Sequence, residues 1–345
     1  MTWKNDRLHW SRLEFLEREG WGWIDKEEFR RSCTKLIERV VARLSSEGVT
    51  DTLLQEEWQA ILNADADEQR FCQTAAALGW DPYSMDREVQ AGVFQIEEAL
   101  GGMVFEEALP ILNTGNLEVE LAAIERVLRV GRAKTIPLEQ ISSIRDDVIR
   151  EVRELPHEWP WEVGYSLARK VRSCLGLDGT PLPSWRNLGQ ALGEPRIEEG
   201  GVPRSNAFNR AELLEGVVTS DEFGLPGFAV RPGGNPSCRF RFCRGLAELL
   251  LSPDSDALVT SARSSRQQRG RAFAAEFLAP STGLKERLPR GILNEDDIGG
   301  LASDFGVSPW VIEHQVVNHE IAQIRGGLPN SLTQTLPWSA AAVAV

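Results

Sequence analysis

The sequence predicts a mostly helical α+β protein: a helical N-terminal domain followed by a module built around a small mixed sheet. Three observations carry this reading. From Glu28 to Arg153 apolar residues recur at three- and four-residue spacing in one segment after another, which is the helical period. Between Leu213 and Phe240 that period gives way to short β-rich pieces cut by glycine and proline. Two apolar helical patterns then follow, RFRFCRGLAELLLS and RQQRGRAFAAEFLAP.

The bulk properties bound the function. A length of 345 residues exceeds one ordinary domain and suggests two of ~150 residues. With 42% hydrophobic and 26% charged residues, the composition is that of a soluble globular chain. A net charge of -13 disfavours a nucleic-acid surface as the main function, since phosphate binding needs a concentrated basic footprint. No apolar run approaches the ~20 residues of a membrane span, and MTWKNDRLHW lacks the apolar core of a signal peptide. A cytoplasmic protein is expected. Cys33, Cys72, Cys174, Cys238 and Cys243 are odd in number and scattered, which points to buried thiols rather than a disulfide framework.

Taken in order, residues 1–27 hold Trp3, Trp10, Trp21 and Trp23, large aromatics suited to a core or an interface. Phe29, Cys33, Leu36, Ile37, Val40, Val41 and Leu44 mark one face of a helix that Gly48 stops. Thr52 followed by Gln55 forms a capping box for a second helix, expected to bury Leu54, Trp58, Ile61 and Leu62. A third, with Phe71, Cys72, Ala75 and Leu78, ends near Gly79. The segment 68–85 has a helix-turn-helix rhythm but too few bases for phosphate contacts. Further helices are expected over 86–100, 103–112, 117–130 and 137–153.

PHEWPW, with two prolines, suggests a boundary at 155–156, so the domains read as 1–155 and 156–325, with a flexible tail over 326–345. A helix bearing Tyr165, Leu167, Ala168, Val171 and Leu175 follows, and Arg169, Lys170 and Arg172 read as its solvated face. Extended pieces are expected at Leu213–Val218, Gly227–Val230 and Cys238–Phe240. The helix-turn-helix rhythm of Asp296–Ile324, with an acidic first helix and no basic cluster flanking the second, reads as packing onto the module rather than a DNA reader. His314 and His319, five apart, would stand about 140° apart on a helix and make a poor metal pair.

The block from Arg239 to Pro280 resembles the ImmA/IrrE family of zincin-like metallopeptidases. The family pattern R-F-x-x-A-H-E-L-x-H-L-L meets Arg239, Phe240, Leu246, Leu249 and Leu250. The pattern E-x-x-A-x-x-F-A-A-E-L-L-x-P meets Phe273, Ala274, Ala275, Glu276, Leu278 and Pro280. Such a family implies a zinc ion held by two histidines four apart and a third ligand, with a glutamate as general base. In this chain the histidines are replaced by Arg244 and Glu248, the base by Gly245, and the downstream carboxylate falls on Gln268. Arginine cannot ligate, glycine cannot act as a base, and a lone carboxylate does not make a zinc site. The resemblance therefore implies a zincin-like module without zinc and without catalytic residues. An Arg244–Glu248 ion pair across one helical turn is the expected filling.

Arg239, Arg241, Arg263, Arg266, Arg269 and Arg271 surround the same block. Guanidinium groups converging on a cleft would suit an anionic ligand or partner, whereas scattered ones would only balance an acidic protein. Three functions are open on these residues. The favoured one is a catalytically inactive homologue acting as a binding or regulatory protein with a protein partner. The resemblance sets it in bacterial stress responses, mobile elements, phage control or toxin neutralisation. The others are a zinc peptidase with a non-standard ligand set, for which His9, His157, His314 and His319 are poorly placed, and a DNA-binding regulator.

Overall fold

The computed structural model describes residues 2–4, 12–14, 26–82, 97–98, 100–155, 159–197, 202–288 and 292–325. Trp10, Trp21, Trp23, His9, His157, most of the expected 86–100 helix and the 326–345 tail lie outside these. The chain divides into two compact units, Met1–Val93 and Phe94–Val345. The boundary expected at 155–156 falls inside the second.

In the first unit, strand β1 (Thr2–Lys4) pairs antiparallel with β2 (Arg12–Glu14). Three helices follow: α1 (Lys26–Ser46), α2 (Leu53–Asn63) and α3 (Ala66–Ala77). Local chemistry sets their ends. The Gln55 amide donates to Thr52 Oγ1 at 3.4 Å while the Thr52 amide donates to Gln55 Oε1 at 3.2 Å, the expected capping box. Gly48 and Gly79 take φ of 77° and 73°, the left-handed conformation that closes helices at little cost to glycine. Burial is another matter. Helix α2 buries no residue, and Leu54, Ile61 and Leu62 are exposed, contrary to the apolar face expected of it. Among the described residues of this unit only Thr74, Ala75 and Leu78 are buried.

The second unit opens with α4 (Gly102–Ala108), α5 (Leu117–Arg132), α6 (Glu139–Glu154), α7 (Pro160–Cys174) and the short α8 (Trp185–Ala191). Then come β3 (Leu214–Ser220), β4 (Pro226–Val230), α9 (Asn235–Leu251), β5 (Ala257–Thr260) and α10 (Ser265–Leu278). It closes with α11 (Ser281–Arg287), α12 (Glu295–Phe305) and α13 (Pro309–Asn318). The fold class is the mostly helical α+β expected, but the three strands, in the order β4-β3-β5, are all antiparallel rather than mixed. Cys238–Phe240 is helical, not extended. Pro236 at the start of α9 explains this, because a ring that fixes φ and lacks an N–H suits the first helical turn.

The sheet is a middle layer. Side chains alternate across a strand, and on β3 Val217 and Thr219 lie against Gly131 of α5 while Val218 lies against Gly245 of α9. Apolar residues on both faces follow from this, as does the burial of every residue of β4 and β5. Helix α5 thus belongs to the same core as the later strands. On the far side of α9, α10 packs so closely on α7 that a Cβ on Gly164 would stand 2.3 Å from the carbonyl oxygen of Arg269. Helices α12 and α13 bury Leu301, Phe305, Ile312 and Val316.

Arg172, expected on a solvated face, is 2% exposed. It donates to the carbonyls of Asp178 at 2.7 Å, Phe277 at 2.5 Å and Thr180 at 2.5 Å, tying α7 to the end of α10. Cys238 and Cys243 are buried thiols as expected, whereas Cys174 is exposed. Among the described residues no helix is long and apolar enough to cross a membrane.

Candidate functional site

The two helices of the Arg239–Pro280 block, α9 and α10, pack side by side, with β5 threaded between them in sequence and laid along β3. They are in ordinary contact at Gly270, where a Cβ would lie 3.8 Å from the Arg244 Cβ and 3.9 Å from Glu248 Oε1. At this junction the chain has built a buried network of charges.

Arg244, 3% exposed, is its centre. One guanidinium nitrogen pairs with Glu215 of β3. Another donates to the Thr260 carbonyl at 2.5 Å and to Gln267 Oε1 at 2.6 Å. Glu248 turns elsewhere. Its Oε2 accepts from Arg266 Nε and lies 3.6 Å from Arg269 Nη2. The ion pair expected between Arg244 and Glu248 is therefore not the filling of the site. Each side chain finds its opposite charge on a different element, because a partner from a facing strand or helix can be desolvated together with it.

Gln267 joins the network to the sheet. Its Oε1 also accepts from the Thr260 amide at 3.0 Å, and its Nε2 donates to the Leu258 carbonyl at 2.7 Å and to the Glu107 carboxylate of α4. Arg271 donates to the carbonyls of Thr260 at 3.2 Å and Ala262 at 2.7 Å. Gln268, expected at the third ligand position, points away and donates to the Arg263 carbonyl at 2.9 Å. Counting back from Phe273 through E-x-x-A-x-x-F puts that position at Gln267, and Gln267 is the residue that meets Arg244.

The electrostatics follow from burial. Arg271 is pushed down to about 9 by burial and by Arg244 beside it, yet it remains a cation at neutral pH. Burial pushes the Glu215 carboxyl up, but Arg244, Arg271 and Arg241 outweigh it and hold the group below the usual carboxylate range. Glu107 is shifted the other way: burial raises it further than Gln267 and Arg266 lower it.

Of the arginines expected to converge, Arg266, Arg269 and Arg271 do, around Arg244. Arg239 does not; it is 1% exposed and ties the Leu182 carbonyl, at 2.5 Å, to that of Gly306. Arg241 donates to the Arg231 carbonyl at 3.2 Å. Arg263 contributes its carbonyl to Gln268. Glu107, Glu215 and Thr260 escaped the sequence reading. Glu215 had a signal, a carboxylate inside the apolar run LEGVV, whereas nothing local marks Glu107.

A zinc ion does not fit these residues. Arg244 is a fixed cation, Gln267 has its amide occupied, and Glu248 is shared by two guanidinium groups. Position 245 has no room for a base, since a Cβ there would stand 2.7 Å from Val218 Cγ2 and 3.3 Å from the Phe228 ring. Among the described residues no three of His, Cys, Asp and Glu converge as a metal site would require. His314 is buried against Trp310, and burial pushes it down to about 4.

A second buried cluster lies at the far end of α10. Glu276, fully buried, accepts from Arg169 Nε at 2.9 Å, Ser281 Oγ at 2.8 Å and Gln315 Nε2 at 2.7 Å. His319 Nε2 approaches to 3.1 Å, near but not aligned for a hydrogen bond. Burial would raise this carboxyl, but His319 and Arg169 hold it at about 2. The group ties α7, α10 and α13 together.

Comparison of the chain with known protein families, with curated proteins and with solved structures finds no match.

Proposed function

We propose that this chain is a catalytically inactive ImmA/IrrE-like metallopeptidase homologue, working in the cytoplasm as a binding or regulatory protein with a protein partner. One observation carries the reading. The three positions that hold ligands in the family pattern, 244, 248 and 267, meet at the junction of two helices and a sheet, and all three are tied into one network of guanidinium, carboxylate and amide groups. A junction of that kind is a rigid frame, and function then rests on its surface or on what its charges attract. Arg266 Nη2 and Arg269 Nε are buried beside Glu248 without an acceptor, and they are the donors that a small anionic ligand would take.

Native mass spectrometry of the gently purified protein tests this. The expected result is a mass without zinc, alone or with a protein or small anionic adduct, and no metal-dependent cleavage of peptides. One zinc per chain together with peptidase activity would overturn the proposal. Restoring the family base by Gly245→Glu is expected to yield no activity and to lower stability by at least ~1–3 kcal/mol, read from a urea midpoint, because the side chain would be forced into Val218 and Phe228.

A further inference from the structure

The first unit leaves apolar side chains in water. In α1 Leu36 is 64% exposed, and in α2 Leu53 is 71%, Ile61 53% and Leu62 56% exposed. Each such side chain forgoes part of the stabilisation that burial would supply. An apolar surface of this kind, rimmed by charge, marks a site of association.

Its rims differ in sign. Successive residues of a helix turn by about 100°, so Lys35, Arg39 and Arg43 form a row beside Leu36 and Val40, and all three are exposed. Helix α1 carries six basic side chains against three acidic ones, namely Glu27, Glu28 and Glu38. Helix α2 carries Glu56 and Glu57 and no basic residue, and Glu57 stands beside Leu54 and Ile61. Both halves of a complementary pair thus lie on one helical hairpin. A surface with that property is self-complementary under a twofold axis, which lays α1 of each copy on α2 of the other.

We propose that α1 and α2 form a homodimerisation element, two copies packing as a four-helix arrangement with Leu36 and Val40 on Leu54 and Ile61 and with Arg39 facing the partner copy's acidic rim at its counterpart of Glu57. The second copy is the occupant because it brings the acidic rim and the basic rim together with the same apolar stripe. The inference stands apart from the reading of the α9–α10 junction.

Light scattering and sedimentation equilibrium of the full chain over a micromolar concentration series test it. The expected mass at the upper end is twice 38.4 kDa. Leu36→Glu combined with Ile61→Glu is expected to raise the dissociation constant at least tenfold. Arg39→Glu and Glu57→Arg should each weaken the dimer, and the chain carrying both should recover it, because the pair re-forms in the opposite sense. Recovery by the double charge swap is a readout that misfolding cannot imitate. A monomer at every concentration, or a dimer indifferent to all four substitutions, would overturn the proposal.

Discussion

Arg244 and Glu276 show how one chain keeps charges inside its core by two different routes. Arg244 and Glu215 come from different elements and neutralise each other, the arginine buried and the carboxylate partly buried. Removing one partner of such a pair leaves the other stranded, so Arg244→Ala is expected to cost ~3–5 kcal/mol in chemical denaturation. Replacing both members, Arg244→Met with Glu215→Leu, should cost less than the single change. Glu276 is instead surrounded by donors, and its carboxyl is held at about 2 against an ordinary value of 4.5. A depressed carboxyl stabilises the fold fully above its unfolded value and loses that contribution as pH falls through 4.5 towards 2. The contribution is on the order of a few kcal/mol at neutral pH. Acid titration of Glu276→Gln should show lower stability at neutral pH and a flatter decline below pH 4.5 than the parent; superimposable curves would refute the assignment.

At the scale of elements, close approach decides the packing. Gly164 lets α7 rest on the backbone of α10, and Gly164→Ala is expected to lower stability by ~1–3 kcal/mol, since its Cβ would meet a carbonyl oxygen at 2.3 Å and backbone cannot swing aside. Thermal melts would register the loss. The same scale separates what the sequence announces from what it conceals. The Thr52–Gln55 capping box, the stops at Gly48 and Gly79, and the apolar faces of α9 and α10 are local and were legible. Strand β5 was not: ALVT is four residues set in a polar stretch, and only its place beside β3 makes it a strand. The partner of Arg244 was hidden for a related reason, because Glu215 lies 29 residues away and the helical neighbour Glu248 offered a simpler pairing. The exposure of α2 is not legible either, because periodicity marks an apolar face without saying what will cover it.

Over the whole molecule, order is unevenly distributed. Helices α9 and α10 bury most of their side chains, while α2 buries none. Hydrogen exchange should follow that division, with the slowest amides in α9, β3 and α10 and the fastest helical amides in α2. Dilution below the dimer's dissociation constant should speed exchange in α1 and α2 and leave α9 unchanged. Uniform protection across both units would contradict this distribution.

The Gln267 amide has a consequence for how any partner is held. It occupies the Thr260 N–H and the Leu258 carbonyl on the side of β5 away from β3, while Arg244 and Arg271 occupy the Thr260 carbonyl. An outer strand ordinarily offers its backbone as a template on which an extended peptide can be added as a further strand. Here that template is already written over by side chains of the same chain. A protein bound at this end of the molecule must be gripped through its own side chains or helices, and the sheet is guarded at the same point against stacking edge to edge into aggregates.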